Sequence, residues 1–183
     1  MQRSFVALAA VLASSAALAD GGMWDAFQAH LENNWEQSKR AWSDGGWTLY
    51  LTGYTWHMPY AYKDSTYDYN EFAKGGGVGR YVYDDSGNYH GLYAIAFSDS
   101  HYKPEYQFGY NWQTYWGESD LKAGLGYTVF FFMRSDIGGY FALPGIVPLA
   151  SIRYKKAEVM GTFIPGFGER NGNIAFFFGR YNF

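Results

Sequence analysis

Between residues 20 and 42 the apolar positions fall at Trp24, Phe27, Leu31, Trp35 and Trp42, with polar and charged residues between them. Spacings of three and four predict an amphipathic helix over residues 20–44, ended by Asp44-Gly45-Gly46. A stripe so rich in tryptophan on an otherwise polar helix suits a membrane interface or the base of a barrel; the alternative is a core-facing helix of a soluble domain. Beyond residue 45 the period drops to two. Strands are predicted at 47–57, 75–83, 89–97, 105–116, 121–134, 146–154, 157–165 and 173–183, separated by turn-forming residues. The connections alternate long, short, long, short through the chain, as in a membrane barrel with long loops at one end and short turns at the other. The expected fold is all-β: an eight-stranded antiparallel transmembrane β-barrel over residues 45–183, preceded by the amphipathic helix. Closure would leave no free edge.

The strand predicted at 105–116 bears on what surrounds such a barrel. Its even positions are Tyr106, Phe108, Tyr110, Trp112, Thr114 and Trp116, a greasy band that suits lipid, whereas a soluble lipocalin-like barrel should be polar outside. Phe130-Phe131-Phe132 and Phe176-Phe177-Phe178 are apolar on both faces, which a water-filled pore would not need. An eight-stranded barrel has room inside for side chains or one small ligand. A partly apolar lumen able to hold a hydrocarbon chain is therefore expected.

Composition agrees. Aromatic residues make up 22% of the chain and charged residues only 17%, against roughly a quarter charged in an average soluble domain. Residues 1–19, with Arg3, an Ala-rich apolar run and Ala17-Leu18-Ala19 before Asp20, are expected to be a signal peptide and are set apart from the fold. Removing Arg3 from 14 basic residues leaves 13 against 17 acidic, a net charge of −4, which gives no support to nucleic-acid binding. An exported chain with no cysteine has no disulfide to stabilise it. Tyr181 and Phe183 end the chain like an outer-membrane barrel, an address for the outer-membrane assembly machinery, and the chain is expected to be a monomer located in the cell outer membrane.

With the helix below the barrel, the first, third, fifth and seventh strands end on the same upper rim, at His57, at Asp99 with Ser100, at Arg134 and at Pro165. A base, a carboxylate and a hydroxyl are the groups acyl transfer needs: His57 as general base, Ser100 as the hydroxyl it activates, and Asp99 as an orienting or charge-stabilising group. Asp-Ser in a loop is also a common turn or cap. No metal-ligand spacing and no phosphate-cradling loop is present, since Gly75 to Gly79 lacks the Lys-Ser and helix that must follow.

Thr55-Trp56-His57, Gly75-Gly76-Gly77, His90-Gly91-Leu92-Tyr93-Ala94, Ala96-Phe97, Asp99-Ser100, Pro148-Leu149-Ala150-Ser151, Ile164-Pro165-Gly166 and Asn171-Gly172-Asn173 resemble, in order, the PagP family of lipid A palmitoyltransferases. The resemblance implies an outer-membrane enzyme that moves a palmitoyl chain from the sn-1 position of a phospholipid acyl donor to a hydroxyacyl chain of the lipid A acceptor, without metal or cofactor. It also implies that His57, Asp99 and Ser100 are catalytic. Asn111 would replace a glycine at the floor of the acyl pocket and shorten the chain accepted. Pro148 and Pro165 would open one lateral path for lipid, while Thr52 and Ala73 stand where a second pair of prolines is expected. Thr48 would replace an acid that pairs with the arginine matching Arg134. Lys63, Lys74, Lys103 and Arg134 are candidates to meet lipid A phosphates. The competing reading is a non-catalytic small barrel serving as anchor, adhesin or hydrophobic-ligand carrier.

Overall fold

The computed structural model describes residues 22–62, 67–117, 119–166 and 173–183; the expected signal peptide lies outside them. Helix α1 (Met23–Asp44) leads into β1 (Gly46–His57), the short α2 (Pro59–Tyr62), β2 (Gly75–Tyr83), β3 (Tyr89–Ser98), β4 (Pro104–Trp116), β5 (Leu121–Met133), a 3-10 turn (Gly138–Tyr140), β6 (Leu143–Tyr154), β7 (Ala157–Ile164) and β8 (Ile174–Asn182). The strands close in sequence order, each antiparallel to the next, with β1 against β8. Strand β6 starts at Leu143 rather than Ile146. Pro144 and Gly145 look like a loop in sequence, yet both pair with β5, opposite Phe131 and Phe130.

Helix α1 is turned opposite to a soluble helix. Asn34, Gln37 and Ala41 are buried, while Trp24, Trp35 and Trp42 are 66, 66 and 74% exposed. The polar face rests on the outside of the barrel, where the Asn34 amide donates to the Tyr127 hydroxyl at 2.7 Å and the His30 ring lies edge-on to Trp112. So the outward band of β4 is divided: Tyr106, Phe108 and Trp116 stay exposed, and Trp112 is covered by α1. Leu51, Val78, Ile146, Ile152 and Val159 continue the exposed apolar wall around the barrel.

Inside, the lower half is polar and tightly packed. Arg180 and Glu158, both fully buried, form an ion pair between register partners on the neighbouring strands β8 and β7. Arg180 also donates to the Tyr115 hydroxyl at 2.7 Å and to Asn111 Oδ1 at 3.3 Å, and its guanidinium lies 3.6 Å from the centre of the Tyr89 ring. Such burial is tolerated because each charge is met by an opposite charge and by further hydrogen bonds. Above this plug lies a narrow cavity of about 40 Å³ lined by Tyr93, Ile95, Phe130, Leu149, Phe176 and Phe178, with Asn111 among the lining residues at its border with the plug.

Two seams interrupt the ladders toward the upper rim. β6 and β7 pair from Tyr154↔Ala157 only as far as Ala150↔Gly161; above that the Thr162 hydroxyl donates to the Pro148 carbonyl at 2.7 Å. β1 and β2 pair only as far as Leu51↔Gly76. There the Thr52 hydroxyl donates to the Ala73 carbonyl, and the Ala73 and Thr55 amides donate to Gly53 and Glu71 carbonyls at 2.8 and 2.7 Å.

Candidate active site

A bulge in β1 decides which way His57 points. Below it Thr48 and Tyr50 face inward and Leu51 faces out; by strict alternation His57 would join Leu51 on the outer wall. The β1–β8 register shifts by one residue between Thr52 and Thr55, and beyond it Thr55 and His57 are buried. Gly53 sits in the bulge, where a Cβ would come within 2.9 Å of the Phe177 carbonyl.

His57 Nε2 and the Ser100 hydroxyl are 2.9 Å apart. The imidazole is stacked on Tyr69, ring centres 4.9 Å apart, and meets Tyr62 edge-on at 5.0 Å. Its Nδ1 is buried without a hydrogen-bond partner among the described residues. Asp99 does not reach it. Asp99 Oδ1 accepts the His101 and Lys103 amides, both at 2.8 Å, and so shapes the turn that presents Ser100. Its Oδ2 faces Arg134 at 3.7 Å.

Arg134 is enclosed by acids. It donates to Asp136 at 3.0 and 2.9 Å and lies 3.4 Å from Glu105. Burial opposes its charge, but the bond to Asp136 and the charges of Glu105, Asp136 and Asp99 hold it above its ordinary value. Burial likewise opposes ionisation of Asp136, yet the bond and charge of Arg134 keep its carboxyl below the usual range. Asp99, His101 and Asp136 converge closely enough for a cation, and the Arg134 guanidinium supplies the positive charge among them.

Residues 37–180 match the family model described as "Antimicrobial peptide resistance and lipid A acylation protein PagP". The chain belongs to the PagP family. A protein named "Lipid A acyltransferase PagP" from Bordetella pertussis strain Tohama I is 48% identical over 145 residues, 78% of this chain and 79% of its own length. Proteins of the same name from Laribacter hongkongensis and Legionella pneumophila strain Philadelphia 1 are each 42% identical, over 79% and 77% of this chain and 70% and 76% of their own lengths.

The remaining residues expected from the PagP resemblance fall as follows. Pro148 stands at the β6–β7 seam and Pro165 follows the last residue of β7. Thr52 and Ala73 meet each other across the second seam, held by a hydroxyl-to-carbonyl bond. Thr48 is not beside Arg134. It lies near the lower end of β1, opposite Gly79 and Asn182, while Arg134 follows the upper end of β5, so the two stand at opposite heights of the barrel. Lys74 and Lys103 are exposed near the rim, Arg134 is taken up by its three acids, and Lys63 lies outside the described residues. Asn70, Tyr69 and Tyr62 were not singled out in the sequence. Their one signal is that the segment 59–74 is rich in tyrosine and aspartate, with tyrosine denser than a solvated loop requires.

Proposed function

We propose that the protein is an outer-membrane acyltransferase that moves an acyl chain, palmitoyl by family, from the sn-1 position of a phospholipid to a hydroxyacyl chain of lipid A. The observation that carries this reading is the 2.9 Å contact between His57 Nε2 and the Ser100 hydroxyl on the rim above an apolar cavity. No helix among the described residues is long and apolar enough to cross a membrane, so spanning falls to the strands. The exposed tryptophans of α1 and the apolar wall fit that setting. Phe183, tied by its amide to the Trp47 carbonyl at 3.0 Å, is the residue offered to the outer-membrane assembly machinery, and the barrel works as a monomer.

The donor chain occupies the cavity with its ester at the rim. His57 takes the proton of the attacking hydroxyl, the oxygen adds to the ester carbonyl, and the tetrahedral intermediate collapses. His57 then returns the proton to the departing glycerol oxygen, releasing lysophospholipid. The balance is the same whether the attacking oxygen is that of Ser100, giving an acyl-serine that lipid A then takes over, or that of lipid A itself. Donor supplied alone separates the two routes, since only the first leaves acyl-protein. Asp99 contributes by shaping the Ser100 turn and by setting a negative charge beside Arg134. Among the described residues, Lys74 and Lys103 are exposed rim cations available to lipid A phosphates.

The test is acyl transfer by protein refolded in detergent with labelled phospholipid and lipid A. His57→Ala and Ser100→Ala should each lose at least about 100-fold in rate. Transfer by these variants at the wild-type rate, or none by wild type, defeats the proposal and leaves the non-catalytic barrel.

A further inference from the structure

The His57–Ser100 contact joins the last residue of one strand to the loop after another, and no strand ladder holds the two together at this height. His57 ends β1, Ser100 follows β3, and β2 lies between them in the barrel. In a triad a carboxylate on the far ring nitrogen would fix the imidazole. Here Nδ1 has no partner among the described residues and Asp99 is turned back on its own loop. Something else must set the 2.9 Å distance.

Two consecutive residues reach both halves of the pair. Tyr69 stacks on the His57 ring at 4.9 Å with the planes 27° apart, which fixes the tilt of the imidazole. Its neighbour Asn70, 7% exposed, grips the serine loop. The Asn70 amide nitrogen donates to the Ser98 hydroxyl at 2.9 Å and to the Asp99 carbonyl at 3.0 Å, and its backbone N–H donates to the Ser100 carbonyl at 2.9 Å. Asn70 Oδ1 accepts the Phe72 amide at 3.1 Å, which turns the chain toward the stitch between residues 71–73 and β1. One dipeptide thus touches the base, the serine loop and, through the next residues, the strand that carries the base.

We infer that Tyr69-Asn70 is the positioning device of the site, holding His57 and Ser100 in register in place of a triad carboxylate. The inference rests on the acyl-transfer reading above. Neither residue touches the reacting atoms. Asn70 acts through the backbone of residues 98–100 and Tyr69 through the orientation of the imidazole.

Asn70→Asp separates the two uses of the side chain. It keeps the acceptor for the Phe72 amide, and therefore the turn, but exchanges the donor for an oxygen facing the Ser98 hydroxyl and the Asp99 carbonyl. The assay is acyl transfer in detergent with varied donor, alongside urea unfolding of each variant and His57→Ala as reference. Asn70→Asp should lower kcat by about 100-fold, the scale of an ångström of misplacement, while the unfolding midpoint stays near wild type. KM should stay within about twofold. Asn70→Ala should fall at least as far in kcat. Tyr69→Leu should lose kcat in the same way, and Tyr69→Phe, which keeps the ring, should recover most of it.

Asn70→Asp or Tyr69→Leu turning over at more than half the wild-type rate overturns the inference. So does a loss confined to KM, or a rate that tracks the unfolding midpoint across the variants. If Asn70→Asp fails to fold, Tyr69→Leu against Tyr69→Phe decides alone. A dead His57→Ala beside an active Asn70→Asp sinks only this inference. A fully active His57→Ala sinks the acyl-transfer reading beneath it.

Discussion

Glu158→Ala should remove about 3 kcal/mol of stability. Glu158 is fully buried and accepts from Arg180, from the Tyr115 hydroxyl at 3.1 and 3.2 Å, and from Gln113 at 3.4 Å. Breaking a buried pair from one side costs about 3–5 kcal/mol, mostly because the surviving charge is left uncompensated. The lower end applies here, since Arg180 keeps Asn111 Oδ1, the Tyr115 oxygen and the face of Tyr89. Replacing both partners, as Glu158→Leu with Arg180→Met, removes the unpaired charge as well as the pair; it should return stability to within about 1 kcal/mol of wild type or exceed it. Reversible urea unfolding in detergent, followed by tryptophan fluorescence, measures both. A single-variant loss below about 1 kcal/mol, or a double variant as unstable as the single, would refute the account of the plug as a mutually compensated network.

Asn111→Gly deepens the floor of the cavity, and the preferred donor should shift to longer chains in a mixed-donor assay; an unchanged preference removes Asn111 from chain selection. Thr52→Val deletes the hydroxyl that closes the β1–β2 seam and should cost about 1 kcal/mol in the same unfolding assay. Asp136 has a folded-state pKa below its ordinary 3.8, so the stability it contributes is present above that value and fades as pH falls through the lowered one. Asp136→Asn should therefore flatten the acid limb of stability against pH, and a limb identical to wild type excludes the Arg134 contact as its source.

Eight strands and a rim holding His57, Asp99 and Ser100 could be read in the sequence because alternation and loop length are local signals. What escaped that reading depends on relations between distant segments. Arg180 and Glu158 already face each other on the β7–β8 ladder, but Tyr115 comes from β4, and only closure of the barrel brings it to them. The stripe of α1 gave the helix and two facings, a membrane interface or the base of the barrel, and the structure turns the tryptophans outward, away from the barrel. Thr48 was matched to Arg134 through the family resemblance, and the height of a residue along its strand follows only from the closed register. Asn70 is a single residue in a long connection, and its use is visible only once residues 98–100 lie against it.

The extra residue in β1 makes chain length at one point decide on which side of the wall the base lies. Because Gly53 and Tyr54 together stand opposite Phe177, the upper end of the strand is rotated by half a period relative to the lower end, and His57 enters the lumen. At the same height the ladder to β2 stops at Leu51, and side-chain and loop bonds replace it. A deletion at residue 53 or 54 would thus be no neutral shortening. By alternation it would carry the base to the outer wall, so a chain of this fold that keeps the histidine inside must keep the length of this segment as strictly as it keeps the histidine.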